Sequence, residues 1–162
     1  MPKAGKLSAG LLMFRIREGR PEVLLAHPGG PLFAKKDEGN WSIPKGETEP
    51  GEDLLTSAGR EFKEETGIDP RGPFVELGSV KQKGGKIVHA WAFAGDWDES
   101  RPFQSNTFEM EWPPWSGKRQ SFPEIDRVGF FSIAEARRKL KEAQHPFLDR
   151  LQEALKSGAI GG

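Results

Sequence analysis

The 162-residue sequence contains no cysteine, so neither disulfide staples nor thiolate metal sites are available to it. That absence leaves the redox compartment open, with the cytoplasm as the default location. Neither sign of charge is in excess, because 24 Lys and Arg balance 24 Asp and Glu. This excludes a global attraction to nucleic acid or to a membrane surface, although local patches remain. No apolar run approaches the roughly 18 residues of a membrane span. Lys3 and Lys6 precede the apolar run Leu11–Phe14, but Arg15 ends it too early for a signal-peptide core. The rest is ordinary for a globular chain, with 30% charged and 35% hydrophobic residues. The length supports one domain with a real core and is too short for two comfortable ones. One domain over 1–162 is expected, its core over about 7–156 and a loose tail from Ser157 to Gly162.

Turn residues and apolar spacing divide this domain. Residues 8–16 and 22–27 read as a strand pair separated by a turn at 17–21. Residues 31–50 read as loop, with room for a short strand at Trp41-Ser42-Ile43. A helix is predicted from about Pro50 to Glu65 and stopped by Gly67. Its apolar arc is Leu55, Ala58 and Phe62, completed by Thr66. Gly59 shares that arc and costs about 1 kcal/mol against Ala in a helix, which suggests another backbone close by. Residues 74–83 and 86–93 read as strands joined at Gly84-Gly85. Residues 96–122 are a long irregular segment, with a strand over 106–112 where Phe108, Met110 and Trp112 alternate. A strand over 126–131, a capped helix from Ser132 to about Lys141 and a helix opened by Pro146 complete the chain.

One stretch stands out, GETEPGEDLLTSAGREFKEETGI, from Gly46 to Ile68. Glu61, Glu64 and Glu65 are spaced i, i+3, i+4, which places three carboxylates on one strip of a helix. Like charges so placed cost about 0.2–0.5 kcal/mol per pair. A hard divalent ion, which takes oxygen ligands, reverses that sign. The strip flanks the apolar arc, so the carboxylates belong at the margin of the core, in a cleft. Arg60 is placed to pair with Glu52 and hold the cluster in register.

The pattern Gly-x5-Glu-x7-Arg-Glu-aromatic-x-Glu-Glu-x-Gly resembles the signature box of the Nudix hydrolases (MutT-like proteins). Gly46, Glu52, Arg60, Glu61, Glu64, Glu65 and Gly67 occupy its fixed positions, and Phe62 stands where an aliphatic residue is usual. The resemblance implies an α/β fold, the Nudix α/β/α sandwich with a mixed β-sheet. It implies a Mg²⁺-dependent pyrophosphohydrolase, with Mn²⁺ able to replace Mg²⁺ on the same ligands. Glu61, Glu64, Glu65 and the carbonyl of Gly46 are the implied metal ligands. Glu64 or Glu61 is the implied base, with Glu52 and Arg60 in orienting roles. The chemistry fits, because water attacks a highly charged polyphosphate slowly unless a cation neutralises it.

The lead-in Trp41-Ser42-Ile43-Pro44-Lys45-Gly46 is similar to that of Nudix enzymes acting on dinucleoside polyphosphates. Lys45 is placed to bind a phosphate, while Trp41 is a candidate for base stacking or, more simply, for core packing. Lys35, Lys36, Lys81, Lys83 and Lys86 are further candidates for phosphate contact, or ordinary solvated lysines. In the 103–120 segment Phe103, Trp112 and Trp115 are candidates for stacking, Lys118 and Arg119 for phosphate, and Glu109 or Glu111 for an alternative base. A lid or a dimer contact explains the same aromatics. His27, His89 and His145 read as structural. A nucleotide substrate, no membrane and a monomer or homodimer are expected, with no strong sign of nucleic-acid binding. The preferred substrate is a nucleoside diphosphate linked to another moiety, a dinucleoside polyphosphate or an NTP-type nucleotide. An oxidised nucleotide such as 8-oxo-dGTP comes next and ADP-ribose third. A non-catalytic nucleotide-sensing module and an RNA-decapping enzyme are the readings of other classes.

Overall fold

The computed structural model describes residues 7–160; Lys3, Lys6 and the last two residues of the expected tail lie outside that range. The sheet is built around β1 (Leu7–Arg17), whose apolar residues face both ways. Leu12 and Phe14 join one buried cluster, whereas Leu11 and Met13 join the other. A strand buried on both faces reads as a continuous apolar run rather than an alternation, and the run Leu11–Phe14 is of that kind. β2 (Arg20–Pro28) returns antiparallel to the end of β1, with Phe14 opposite Val23. The start of β1 pairs instead with β3 (Lys45–Glu47), also antiparallel. On its other edge β1 runs parallel to β5 (Ile87–Ala94), which is antiparallel to β4 (Val75–Lys81). The β8 strand (Ile125–Ser132) closes the far side against β2. Parallel and antiparallel pairs together make the sheet mixed.

Helices cover both faces. The helix α1 (Leu54–Thr66) lays Ala58 and Phe62 on the cluster containing Leu11, Met13 and Leu24. On the opposite face α2 (Ile133–Lys139) and α3 (His145–Ser157) bring Ala136, Phe147, Leu148 and Leu151 onto Leu12, Phe14 and Leu25. The result is the expected α/β/α sandwich. No helix among the described residues is long and apolar enough to cross a membrane.

Several boundaries differ from expectation. The first helix begins at Leu54, not near Pro50, because Asp53 caps it by accepting from Thr56 N at 3.2 Å, and Gly51 just before it has φ +77°. Its stop is as predicted, with Gly67 left-handed at φ 77°. No backbone crowds Gly59, where a Cβ would meet only Pro70 Cγ at 3.8 Å. Trp41 and Ser42 make only isolated bridges, and the strand of this region is β3, three residues later. The supposedly irregular 96–122 segment contains a two-stranded ribbon of β6 (Thr107–Glu111) and β7 (Arg119–Pro123). Finally, the tail does not run free as far as it is described. Ile160 is buried against the core and its N–H donates to Ala154 O at 3.4 Å.

Candidate functional site

Gly10 lets the lead-in loop lie flush on β1, since a Cβ there would meet Pro44 O at 2.7 Å and Lys45 Cβ at 2.8 Å. That contact sets Lys45 opposite Gly10 and Gly46 opposite Ala9, on the side where α1 packs. Gly46 is required for space as well, because the Glu61 carboxylate occupies the place a Cβ would take.

Arg60 organises the acidic strip. Its Nε and Nη2 donate to the two oxygens of Glu52 at 2.9 and 3.0 Å, a bidentate pair. Its Nη1 donates to Glu61 at 2.9 Å and to Glu64 at 3.2 Å. The Arg60 bonds hold the Glu52 carboxyl down at about 2, while Glu52 in turn raises Arg60. Glu61 is pushed up by burial against the pull of Arg60, and Glu64 and Glu124 add to the rise. Glu65 instead accepts from Lys45 N at 3.1 Å. Burial pushes its carboxyl up to about 8.

Asn106, at the root of the β6–β7 ribbon, donates from Nδ2 to Glu64 Oε2 at 3.3 Å, and its N–H reaches Glu64 O at 3.1 Å. Its carbonyl accepts from Glu124 N at 2.7 Å. Thus Glu124, immediately before β8, is brought beside the helical carboxylates, and its charge acts on both Glu61 and Glu65. A cleft of about 140 Å³ lies here, lined among others by Asn40, Ser42, Lys45, Glu65, Glu124 and Lys141. Burial lowers Lys45, with Lys141 and Lys86 adding to the effect; burial and Lys86 lower Lys141 in the same way.

The predicted substrate residues divide. Lys45 lines the cleft. Trp41 is buried in the core, its Nε1 donating to Asp37 at 2.7 Å, and is edge-on to His27 and Phe131, so its ring packs the interior and is not free to stack on a base. Lys83 is exposed in the turn between β4 and β5. Glu109 and Glu111 are exposed on the ribbon, where Glu111 accepts from Trp115 N at 2.9 Å. Neither lines the cleft. The carboxylate outside the box that does line it is Glu124. No local spacing signals Glu124, Asn106 or Lys141, because each arrives through a long-range connection.

Among the described residues no three acidic or imidazole groups converge closely enough to hold a metal ion as they stand. Glu61 and Glu64 are drawn to Arg60, and Glu65 to the Lys45 amide. The donor set nevertheless suits a hard divalent cation. It is all oxygen, half-buried and rich in negative charge, and ionising Glu65 is unfavourable without added positive charge.

A family model described as the NUDIX domain matches residues 6–151. No curated protein matches the chain. Solved structures do. The Caenorhabditis elegans Ap4A hydrolase in a binary complex is 22% identical, with a TM-score of 0.63, over 94% of this chain and 98% of that one. The NUDIX domain of Shewanella oneidensis NrtR complexed with ADP ribose is 16% identical, with a TM-score of 0.66, over 94% and 90%. A MutT protein from Methanosarcina mazei Go1 is 22% identical, with a TM-score of 0.62, over 96% and 99%. At these identities the likeness is one of fold.

Proposed function

The chain belongs to the Nudix family of hydrolases acting on pyrophosphate bonds, and from that premise we propose that it is a Mg²⁺-dependent pyrophosphohydrolase of nucleotides carrying a long phosphate chain, foremost a dinucleoside polyphosphate. Nudix hydrolases use divalent metal ions. Here Glu61, Glu65 and the Gly46 carbonyl would hold the ion together with Glu64. When bound, it would neutralise phosphate charge and polarise the reacting phosphoryl group.

The chain's own residues supply the rest. Arg60 fixes Glu52, Glu61 and Glu64 relative to one another, so the cluster is ordered before substrate arrives. Glu64, held by Arg60 on one side and Asn106 on the other, is the group assigned to take a proton from the attacking water. Lys45 lines the cleft beside Glu65 and meets the phosphates as a point charge. The observation carrying the reading is this cluster, in which a single guanidinium ties three box glutamates while the fourth, Glu65, is left half-buried in the cleft. The likeness to the C. elegans Ap4A hydrolase supports the dinucleoside substrate. The likeness to an ADP-ribose complex favours a second reading, an ADP-ribose-type ligand that is cleaved or merely sensed.

Chromatographic product analysis decides between them. The panel is diadenosine polyphosphates, 8-oxo-dGTP, ordinary NTPs, ADP-ribose and capped RNA with Mg²⁺, each compared with Glu64→Gln. Turnover should favour the diadenosine polyphosphates and fall at least about a hundredfold in the variant, the scale of losing a general base. Preference for 8-oxo-dGTP or ADP-ribose would overturn the substrate order. Binding without turnover would replace the hydrolase by a sensor.

A further inference from the structure

The cleft is bipolar. Glu65 and Glu124 line it together with Lys45 and Lys141, and the hydrolase chemistry above uses Lys45 but not Lys141. Lys86, immediately before β5, is close enough to act on the charge of both lysines. Among the described residues none of the three side-chain ammonium groups has a hydrogen bond or an ion pair, whereas the neighbouring Lys139 is paired with Asp37 at 2.6 Å. Glu65 and Glu47 act on Lys45 through charge, against the repulsion of Lys141 and Lys86. Repulsion among the three cations costs stability in the free protein, and a multiply charged anion removes that cost.

The three lysines come from segments far apart in sequence, and a buried amide holds those segments together. Gln144, fully buried, accepts from Ile43 N at 3.0 Å and donates to Ser42 Oγ at 2.9 Å and to Gln82 Oε1 at 2.8 Å. Ser42 and Ile43 lead to Lys45. Gln82 N donates to Lys86 O at 2.7 Å, and Gln144 N donates to Lys141 O at 2.9 Å. Each arm of one side chain or its backbone therefore reaches a segment that carries one lysine.

We propose that Lys45, Lys86 and Lys141 form the subsite for phosphates beyond the scissile pair, and that this triad selects substrates with three or more linked phosphates over those with two. The proposal deepens the polyphosphate reading of the same cleft and rests on it. Lys45 adjoins Gly46 at the reacting end, Lys141 lines the same cleft, and Lys86 is tied to it through Gln82 and Gln144. A diphosphate-linked substrate reaches Lys45 alone, whereas a longer chain engages all three.

The test is titration calorimetry of the full chain with linear inorganic tripolyphosphate and with pyrophosphate at matched free Mg²⁺, any turnover being followed as released phosphate. Wild type should prefer tripolyphosphate. Lys86→Ala, at an exposed position that folding tolerates, and Lys141→Met, which keeps the apolar stem, should each shrink that preference about tenfold, the scale of one charge-assisted hydrogen bond. Added salt should erode it as well. Equal affinities in wild type, or a preference unchanged in both variants, overturns the proposal. The nucleotide panel keeps the two claims separable. A chain that shows the preference yet hydrolyses no nucleotide retains the triad and loses the hydrolase reading. A chain that hydrolyses nucleotides without the preference retains the hydrolase and loses the triad.

Discussion

Glu65 shows how one residue links burial to stability. Its carboxyl sits in the cleft and is pushed up to about 8 from an ordinary 4.5. The folded state therefore holds a proton that the unfolded chain has already lost between those values. A raised carboxyl contributes stability that is complete below about 4.5 and lost as pH rises through about 8. Metal-free protein should thus become less stable over that window, and Glu65→Gln, which cannot ionise, should flatten the slope. Urea midpoints of the two proteins across the window are the measurement, and parallel profiles would refute the assignment. Added Mg²⁺ should recover stability at the alkaline end in wild type but not in the variant, because the ion favours the ionised carboxylate. At this scale the sequence was informative for one reason. Glu61, Glu64 and Glu65 are neighbours on one helix, so their spacing alone puts them together. Asn106 and Glu124 join the same cluster by a hydrogen bond between distant segments, and nothing in their own surroundings in the sequence foretells it.

Among the elements, α1 was the most legible, since its apolar arc, its Gly67 stop and its carboxylate strip all follow from a 3.6-residue period. Its start was less so. A helix begins where a side chain accepts from a free backbone N–H, and Asp53 does that three residues past Pro50, inside the stretch whose composition already looked helical. The β3 strand was hidden for a different reason. Three residues are too few to show a period, and the strand exists only because Gly10 on β1 admits it. The β7 strand, RQSFP, is nearly all exposed and pairs only with β6, so it lacks the buried face that makes a strand readable. Gly59 reversed its expected meaning. The space beside it is open enough for a methyl group, and its helical backbone needs no glycine. Gly59→Ala should therefore stabilise the protein by about 0.4–1 kcal/mol through helix propensity and a less flexible unfolded chain. A lower melting temperature in the variant would mean that something besides Pro70 must move.

For the whole molecule, the sandwich depends on contacts that no window of sequence contains. The parallel pairing of β1 with β5 joins Leu7 to Ile87, and the lead-in loop, the β4–β5 turn and the link between α2 and α3 meet at Gln144. That amide is one of only five buried polar or charged side chains among the described residues, and its oxygen and both donor bonds are satisfied. Replacing it with an apolar residue of similar size, Gln144→Leu, leaves the Ile43 N–H buried without a partner. It also releases Ser42 and Gln82. A buried polar group deprived of its partner costs about 1–3 kcal/mol, so the variant's urea midpoint should fall by a matching amount with an unchanged slope. The consequence should spread beyond the site of change. Amide exchange should accelerate at Ile43, at Gln82 and around Lys141 together, since one side chain restrains all three segments. Exchange that quickens only beside residue 144 would show that the segments are held by the sheet and the helices instead, and that the amide fills space without joining them.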